Sequence, residues 1–544
     1  MRTLIPLLAL LTAAAPPPQI DVEQMKRDIA TLASDEFEGR APATAGEAKT
    51  IAYLAQRMAA IGLKPGNNGQ WLQPVPLVAI TTDPAAPIRI AGGAAPLSLA
   101  MNSDVAVKSL RAQPRIAVDA SDIVFVGYGI VAPERGWNDY AGLDVRGKTV
   151  LVLVNDPDWQ TPAAGKDAGP FEGRAITYYG RFTYKYEEAL RQGAAAALVI
   201  HDEEPAGYPW GVIGTSVGRP ALDLDHGPNG APALHYEGWI TKAAAGRVLA
   251  AAGLDLKALE AAAKIKGFRA VPTKLTASLD ADNKVERLLS HNVVGILPGT
   301  KRPDEVVLFS GHWDHVGRCK ADATGDDICN GALDNASGTA GVLALAGALA
   351  KAPRTERSML FVSWTLEEAG LLGSRYYAEH PLFPLGKTVG GVNMDILGFY
   401  GAHDGLTIAG AGRSELEAMA ARLAAVQGRR LVPEASPEKG RYFRSDHFSL
   451  AKLGVPMLMA IGGGELIGKP KGAAAAAAND YVDHRYHQPS DEYDPNWDWG
   501  GVVQDLTLFA EFGHELADGK DWPNWLPGSE FRSIRDQSRA GFKE

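Results

Sequence analysis

Five side chains able to bind a hard metal ion close successive apolar runs in the second half of the chain. The run "EVVLFSG" leads into "HWDH", with His312 and Asp314, and "NGALDNASG" carries Asp334. "MLFVSWTLEEAG" carries Glu367 and Glu368, "VNMDILG" carries Asp395, and "DHRYHQPSDEYD" carries His487 with Asp491 downstream. Imidazole and carboxylate are donors that Zn2+ accepts. Five such donors with one carboxylate shared suit two ions about 3.5–4 Å apart. That site also needs a base that binds no metal. The adjacent Glu367 and Glu368 fit this division: one ligates while the other takes a proton from water. A pair of unpaired carboxylates beside a buried strand costs too much to be a packing choice. Taken singly, an H-x-D or an E-E is ordinary surface. All the elements in order, each at the close of an apolar run, point to a metal site.

The elements that must position these residues follow from the periodicity. From about Leu288, strand-like runs ("NVVGILPG", "EVVLFSGHWDHVG", "SMLFVSWTLEE", "GGVNMDILG", "GLTIAG", "GVPMLMAIGGG") alternate with helical ones at Ser337 to Pro353 and Arg413 to Gly428. Strand and helix in alternation predict an α/β fold, a mixed, mostly parallel sheet sandwiched by helices. Ligands of such sheets bind beyond the carboxyl ends of the strands, where the charged residues of this segment fall. His312 and Asp314, two apart, project to one side of an extended chain. Upstream, Asp21 to Ser34 and Ala45 to Gly66 carry apolar residues at helical spacing and read as scaffold helices. Between them and the strand-rich half, Ser121 to Ala270 alternates short strands and helices and reads as a smaller α/β module without a catalytic cluster of its own. The tract "KPKGAAAAAAND", Lys469 to Asp480, reads as a loop or short exposed helix.

The 544 residues suggest two or three domains. A net charge of −10 argues against nucleic acid or an anionic membrane surface as a partner. Arg2 followed by "LIPLLALLTAAA" and "PPP" has the form of an export signal over residues 1–19, too short for a membrane span. The expected location is therefore periplasmic or extracellular. There a disulfide between Cys319 and Cys329 is expected, with thiolate ligation of metal as the alternative.

The series "GHWDH", "ALDNASGTAG", "TLEEAGLLGS", "VNMDILG", "RSDHFSLAKLGVP" and "YHQPSD" resembles the co-catalytic zinc aminopeptidases, a clan that also includes glutamate carboxypeptidase and the transferrin receptor ectodomain. The resemblance covers about Val293 to Ala510, and "LASDEFEGRAP", Leu32 to Pro42, fits the N-terminal segment of bacterial members. "DIVFVGYGI", "GKTVLVLV" and "GAAAALVIH" resemble a protease-associated domain. The resemblance implies an organisation of residues 20–120 and 271–544 as the metallopeptidase domain, with 121–270 inserted as the protease-associated domain; the insertion is a candidate lid or substrate-size filter, or a domain that only adds stability. It implies two Zn2+, with Co2+ or Mn2+ as other possibilities, and peptide substrates. His312 and Asp395 would hold one ion, Glu368 and His487 the other, and Asp334 would bridge. Glu367 would be the general base, Asp314 would orient His312, and Tyr442 would stabilise the oxyanion. Asp446 and His447 would be supporting residues, and Asp491 would support His487. The implied activity is an exopeptidase, foremost an aminopeptidase. A dipeptidase or carboxypeptidase shares the same donors. A glutaminyl cyclase would need one zinc, and a non-catalytic receptor would lack donors that this chain retains.

Overall fold

The computed structural model describes residues 19–227 and 232–542. Apart from Gln19, the signal-like segment over residues 1–19 lies outside the described residues. The centre of the fold is a mixed sheet. We label its strands β1 (Leu72–Thr82), β2 (Val271–Leu297), β3 (Arg302–His312), β4 (Arg357–Trp364), β5 (Thr388–Asn393) and β6 (Met457–Leu458). Their order across the sheet is β6-β5-β3-β4-β2-β1. The pairs β6/β5, β5/β3 and β3/β4 are parallel, whereas β4/β2 and β2/β1 are antiparallel.

The parallel strands are apolar on both faces because both faces are covered. Side chains alternate across each strand. Val307, Phe309, Met359 and Phe361 enter one core, while Leu308, Leu360 and Val362 enter another with Tyr377 and Leu450. On the first face lie α1 (Val22–Leu32), α2 (Ala45–Ile61), α3 (Gly338–Lys351) and α4 (Gly500–Asp518). α3 is buried nearly all round. It lies against β3 and β4 and is covered from outside by α1, α2 and α4. Its composition, "GTAGVLALAGALAK", follows from that position, since a helix without a polar face must be enclosed. α1 begins where the Asp21 carboxylate accepts from the Gln24 amide at 3.0 Å, and α2 ends at Gly62 with φ of 94°. Both scaffold helices were legible in the periodicity, and Ala473–His484 forms a helix where a loop or short helix was expected.

The 27-residue strand β2 belongs to two sheets at once. Its second half joins β1 and β4, and its first half pairs antiparallel with Arg115–Phe125. From there a second sheet continues through Thr149–Leu153, Ala196–His201 and Tyr236–Thr241, all parallel, and ends on antiparallel Val105–Lys108. Ile88–Ala91 also pairs with β2, so this sheet draws in strands ahead of residue 121. Residues 221–224 leave it and form an edge strand on β1 of the central sheet.

Phe309 stacks on Phe361 of the neighbouring strand with ring centroids 5.3 Å apart, in the core that α4 covers. Phe309→Ala is expected to cost about 3–5 kcal/mol, measured by chemical denaturation. A loss below about 1 kcal/mol would contradict this packing.

Candidate metal centre

The carboxyl ends of β3, β4 and β5 carry the predicted residues. His312 is the last residue of β3, Glu367 and Glu368 lie in the turn after β4, and Asp395 follows β5 by two residues. Asp334 sits in the turn leading into α3, and His487 in the turn after the helix Ala473–His484. The backbones meet closely here. A Cβ on Gly338 would lie 2.4 Å from the Met394 carbonyl oxygen, so glycine lets α3 start against the end of β5. Leu366, Ile396 and His487 have φ of 58°, 57° and 56°. Left-handed backbone at a non-glycine residue costs about 1–2 kcal/mol, and here it occurs at the donor His487, beside the donor Asp395 and beside Glu367.

Two groups of donors result. His312, Asp334 and Asp395 form one; His315, Asp334, Glu368 and His487 form the other; within each, the donor atoms lie within 4.8 Å of one another. Asp334 belongs to both. Its Oδ1 is 3.4 Å from His312 Nε2, which is 3.5 Å from Asp395 Oδ1. Its Oδ2 is 3.2 Å from His487 Nε2, which is 3.1 Å from Glu368 Oε2. All five predicted donors are therefore brought together. Glu367 is in neither group.

The turns are held by buried side chains that accept or donate to backbone, because no strand or helix satisfies their amides. Asp314 Oδ1 accepts from the Glu367 amide at 3.1 Å and Oδ2 from the Glu368 amide at 3.4 Å. Its part in orienting His312 is played by its backbone oxygen, 3.1 Å from His312 Nδ1, with the carboxylate at 3.7 Å. That contact leaves Nε2 free for metal. Asp491, expected beside His487, supports Asp334 instead. Its oxygens accept from the Leu333 and Asp334 amides at 3.0 and 3.1 Å and from the Tyr481 hydroxyl at 3.1 Å. Asn335 grips the third turn: its Nδ2 donates to the Met394 carbonyl at 3.1 Å and its Oδ1 accepts from the Ile396 amide at 3.2 Å, on either side of Asp395.

Two participants escaped the sequence reading. Arg40, fully buried, donates to the carbonyls of Trp313, Leu32, Asn330 and Gly331 at 2.9, 2.7, 2.6 and 2.9 Å. His315 is the other. Strand alternation pairs His312 with Asp314 in "HWDH", but the extended strand ends at His312, and the turn swings His315 into the site. Tyr442 is not among the donors. Its ring packs edge-on to His447 at 4.6 Å and under the Arg413 guanidinium at 5.2 Å. Burial and then Arg413, Glu530 and Glu417 set its ionisation, rather than the donor carboxylates. The oxyanion role expected of it gains no support from this placement. Asp446 and His447 are buried and also outside both groups.

The electrostatics fit a bound cation. Burial acts to raise the Asp334 pKa, yet His312, His487 and His315 around it hold it far below the usual carboxylate range. Burial acts to lower His487, but the Asp334 and Glu368 carboxylates beside it raise it to about 10. The imidazoles thus draw protons into a space that already gathers carboxylates. The Nε2 atoms of His312, His315 and His487 have no directed hydrogen bond. Nitrogen and oxygen donors converging in this way fit zinc. Burial holds Glu367 well above its ordinary range, with Asp395, Asp446 and Glu368 adding to it against His312. A divalent ion would oppose those negative neighbours and bring it down.

Asp491→Ala and Asn335→Ala are each expected to lower zinc affinity about 10–100-fold without touching a donor, measured by dialysis against chelator-buffered zinc. Unchanged affinity in both would mean that the turns hold themselves.

Residues 292–510 match Peptidase family M28. Among curated proteins the chain is similar to Aminopeptidase NAALADL1 of Mus musculus, 34% identical over 137 residues that are 24% of this chain and 17% of that protein. It is also similar to a probable leucine aminopeptidase 2 of Aspergillus oryzae, 34% identical over 106 residues, 20% of this chain and 19% of that protein. The chain thus spans less than a fifth of the length of these relatives. Among solved structures, an aminopeptidase from Aneurinibacillus sp. strain AM-1 aligns with 92% of this chain and 94% of its own at 20% identity and a TM-score of 0.47. BSAP, a zinc aminopeptidase from Bacillus subtilis, aligns with 93% and 97% at 17% identity and a TM-score of 0.42. The matched residues 292–510 hold every donor of both groups.

Proposed function

We propose that the protein is an exported metallo-exopeptidase, foremost an aminopeptidase, that hydrolyses peptides at a centre holding two zinc ions. One observation carries the reading: the Asp334 carboxylate turns one oxygen to His312 and the other to His487, as a bridge between two ions must. His312 and Asp395 would complete the first position, and Glu368 and His487 the second. Zinc bound there would polarise the scissile carbonyl and lower the pKa of water. The Glu367 carboxylate, outside both donor groups, would accept the proton from that water and return it to the leaving amine. Asp314 holds the Glu367 and Glu368 amides, so base and ligand keep a fixed separation.

The module around the second sheet, read as a protease-associated domain, reaches the segment that carries Tyr442. The Ile176 amide donates to the Pro437 carbonyl at 3.3 Å, and Arg174 pairs with Glu438 at 3.0 Å. That contact supports a lid or size filter. Export is supported by the signal-like residues 1–19 and by the bond between Cys319 and Cys329. No helix among the described residues is long and apolar enough to cross a membrane.

A dipeptidase or carboxypeptidase on the same donors is favoured by a different observation. Arg181 Nε is buried without a partner, and burial together with the nearby Arg444 lowers Arg181 to about 10. Two neighbouring guanidinium groups would welcome a substrate carboxylate.

Glu367→Gln is expected to cut kcat by about 10²–10⁴ while zinc content stays at the wild-type value. Retained turnover in the zinc-loaded variant would exclude Glu367 as base. A panel of free-amine and N-blocked peptides, each with and without chelator, tests the substrate end. Chelator-sensitive cleavage confined to free-amine peptides is expected, and release of C-terminal residues from N-blocked peptides would replace the aminopeptidase reading with the second one.

A further inference from the structure

His315 has no part in the chemistry above, yet it is almost fully buried inside the donor cluster. Its Nδ1 is 2.7 Å from Glu368 Oε1, while the other Glu368 oxygen, Oε2, is 3.1 Å from His487 Nε2. The two oxygens of one carboxylate are thus divided between two imidazoles. Two atoms bound to one tetrahedral zinc at about 2.0–2.2 Å lie roughly 3.3 Å apart. A separation of 2.7 Å is instead that of a charge-assisted hydrogen bond, with Nδ1–H donating. The ring is also locked in place. It meets the His487 ring edge-on at 5.3 Å, and on its other side the backbone of Gly331 comes so near that a Cβ there would lie 2.5 Å from its Cδ2.

We propose that His315 is a positioning residue: it holds Glu368 Oε1 and so presents Oε2 alone to the second metal position. An unheld glutamate in the turn after β4 rotates about its terminal bond and loses side-chain freedom each time it binds an ion. One already fixed by a buried donor binds without that cost. The consequence is selective. Glu368 is a donor of the second group only, so the hold of His315 on it acts on the second position; the first, built on His312 and Asp395, shares only Asp334 with that group.

The inference rests on the proposed two-zinc centre, and the test separates the two. Wild-type protein, His315→Asn and His315→Leu are stripped with chelator and titrated with zinc, and the occupancy and affinity of each step are read. Co2+ replacement gives a visible-absorption signature of the coordination. Asparagine places an amide nitrogen close to the Nδ1 position, so His315→Asn is expected to bind both ions within about threefold of wild type with an unchanged cobalt spectrum. His315→Leu is expected to lose about 10–100-fold in one step only. Equal binding of both ions by the leucine variant overturns the proposal. So does an asparagine variant as weak as leucine, because the imidazole would then be a ligand itself. Should the leucine variant fail to fold in chelator, His315→Gln, whose amide nitrogen falls at the Nε2 position instead, is expected to show the same single-step loss, and wild-type affinity in it also overturns the proposal. A wild-type protein that binds no zinc overturns the functional reading and this proposal with it, whereas equal binding by the variants overturns this proposal alone.

Discussion

Everything at this centre depends on buried side chains taking over backbone hydrogen bonds where the sheet stops. Parallel strands end with amides and carbonyls that no neighbour satisfies, and burying them unpaired costs about 1–3 kcal/mol each. Asp314, Asp491 and Asn335 each engage two backbone groups of a turn that bears a donor. Each turn is thereby fixed at the place where its own side chain has to point. The turns that bear Glu368, Asp334 and Asp395 are thus each gripped by a buried side chain.

That assembly concentrates negative charge, and Arg40 stands under it. A buried guanidinium is costly to desolvate, and this one is satisfied by carbonyls from Leu32, Trp313, Asn330 and Gly331 rather than by a carboxylate. Burial pulls its pKa down to about 10, while Asp491, Asp334, Asp314 and Glu368 act in the opposite sense. It therefore remains charged at neutral pH. Arg40 also ties the N-terminal segment after α1 to the turns on either side of the bonded Cys319–Cys329 hairpin. The scaffold helices and the centre are coupled through one side chain.

The long strand β2 is the second organising constraint. Because one continuous strand serves two sheets, the central sheet and the smaller one cannot move as independent beads on a flexible linker. The smaller unit is tied at its other end by residues 221–224 on β1 and by the contacts of Arg174 and Ile176 with the segment near Tyr442. A unit held at these points is suited to shaping the approach to the centre.

By itself the sequence determined the strand–helix alternation of the second half, the α/β class and which five side chains could serve as donors. It could do so because strands buried on both faces must be apolar, and the charged residues that break the pattern stand out at their ends. Glu367 and Glu368 were legible as a pair with separate tasks for the same reason. What the tertiary structure decided is everything that depends on direction. His315 and Asp314 sit in one short motif, and strand alternation favours Asp314, but alternation ceases at His312. The turn alone sets which side chain faces Glu368. Asp491 lies four residues after His487 in sequence, yet it serves Asp334, because the chain folds back across the turn before α3. Arg40 is 273 to 291 positions from the turns it holds, and no local pattern marks a residue whose partners are distant carbonyls. The smaller sheet begins ahead of residue 121 because strands such as Ile88–Ala91 are too short to announce a sheet until β2 pairs with them. Periodicity reports which residues are buried; only the packed chain fixes what each buried polar group touches.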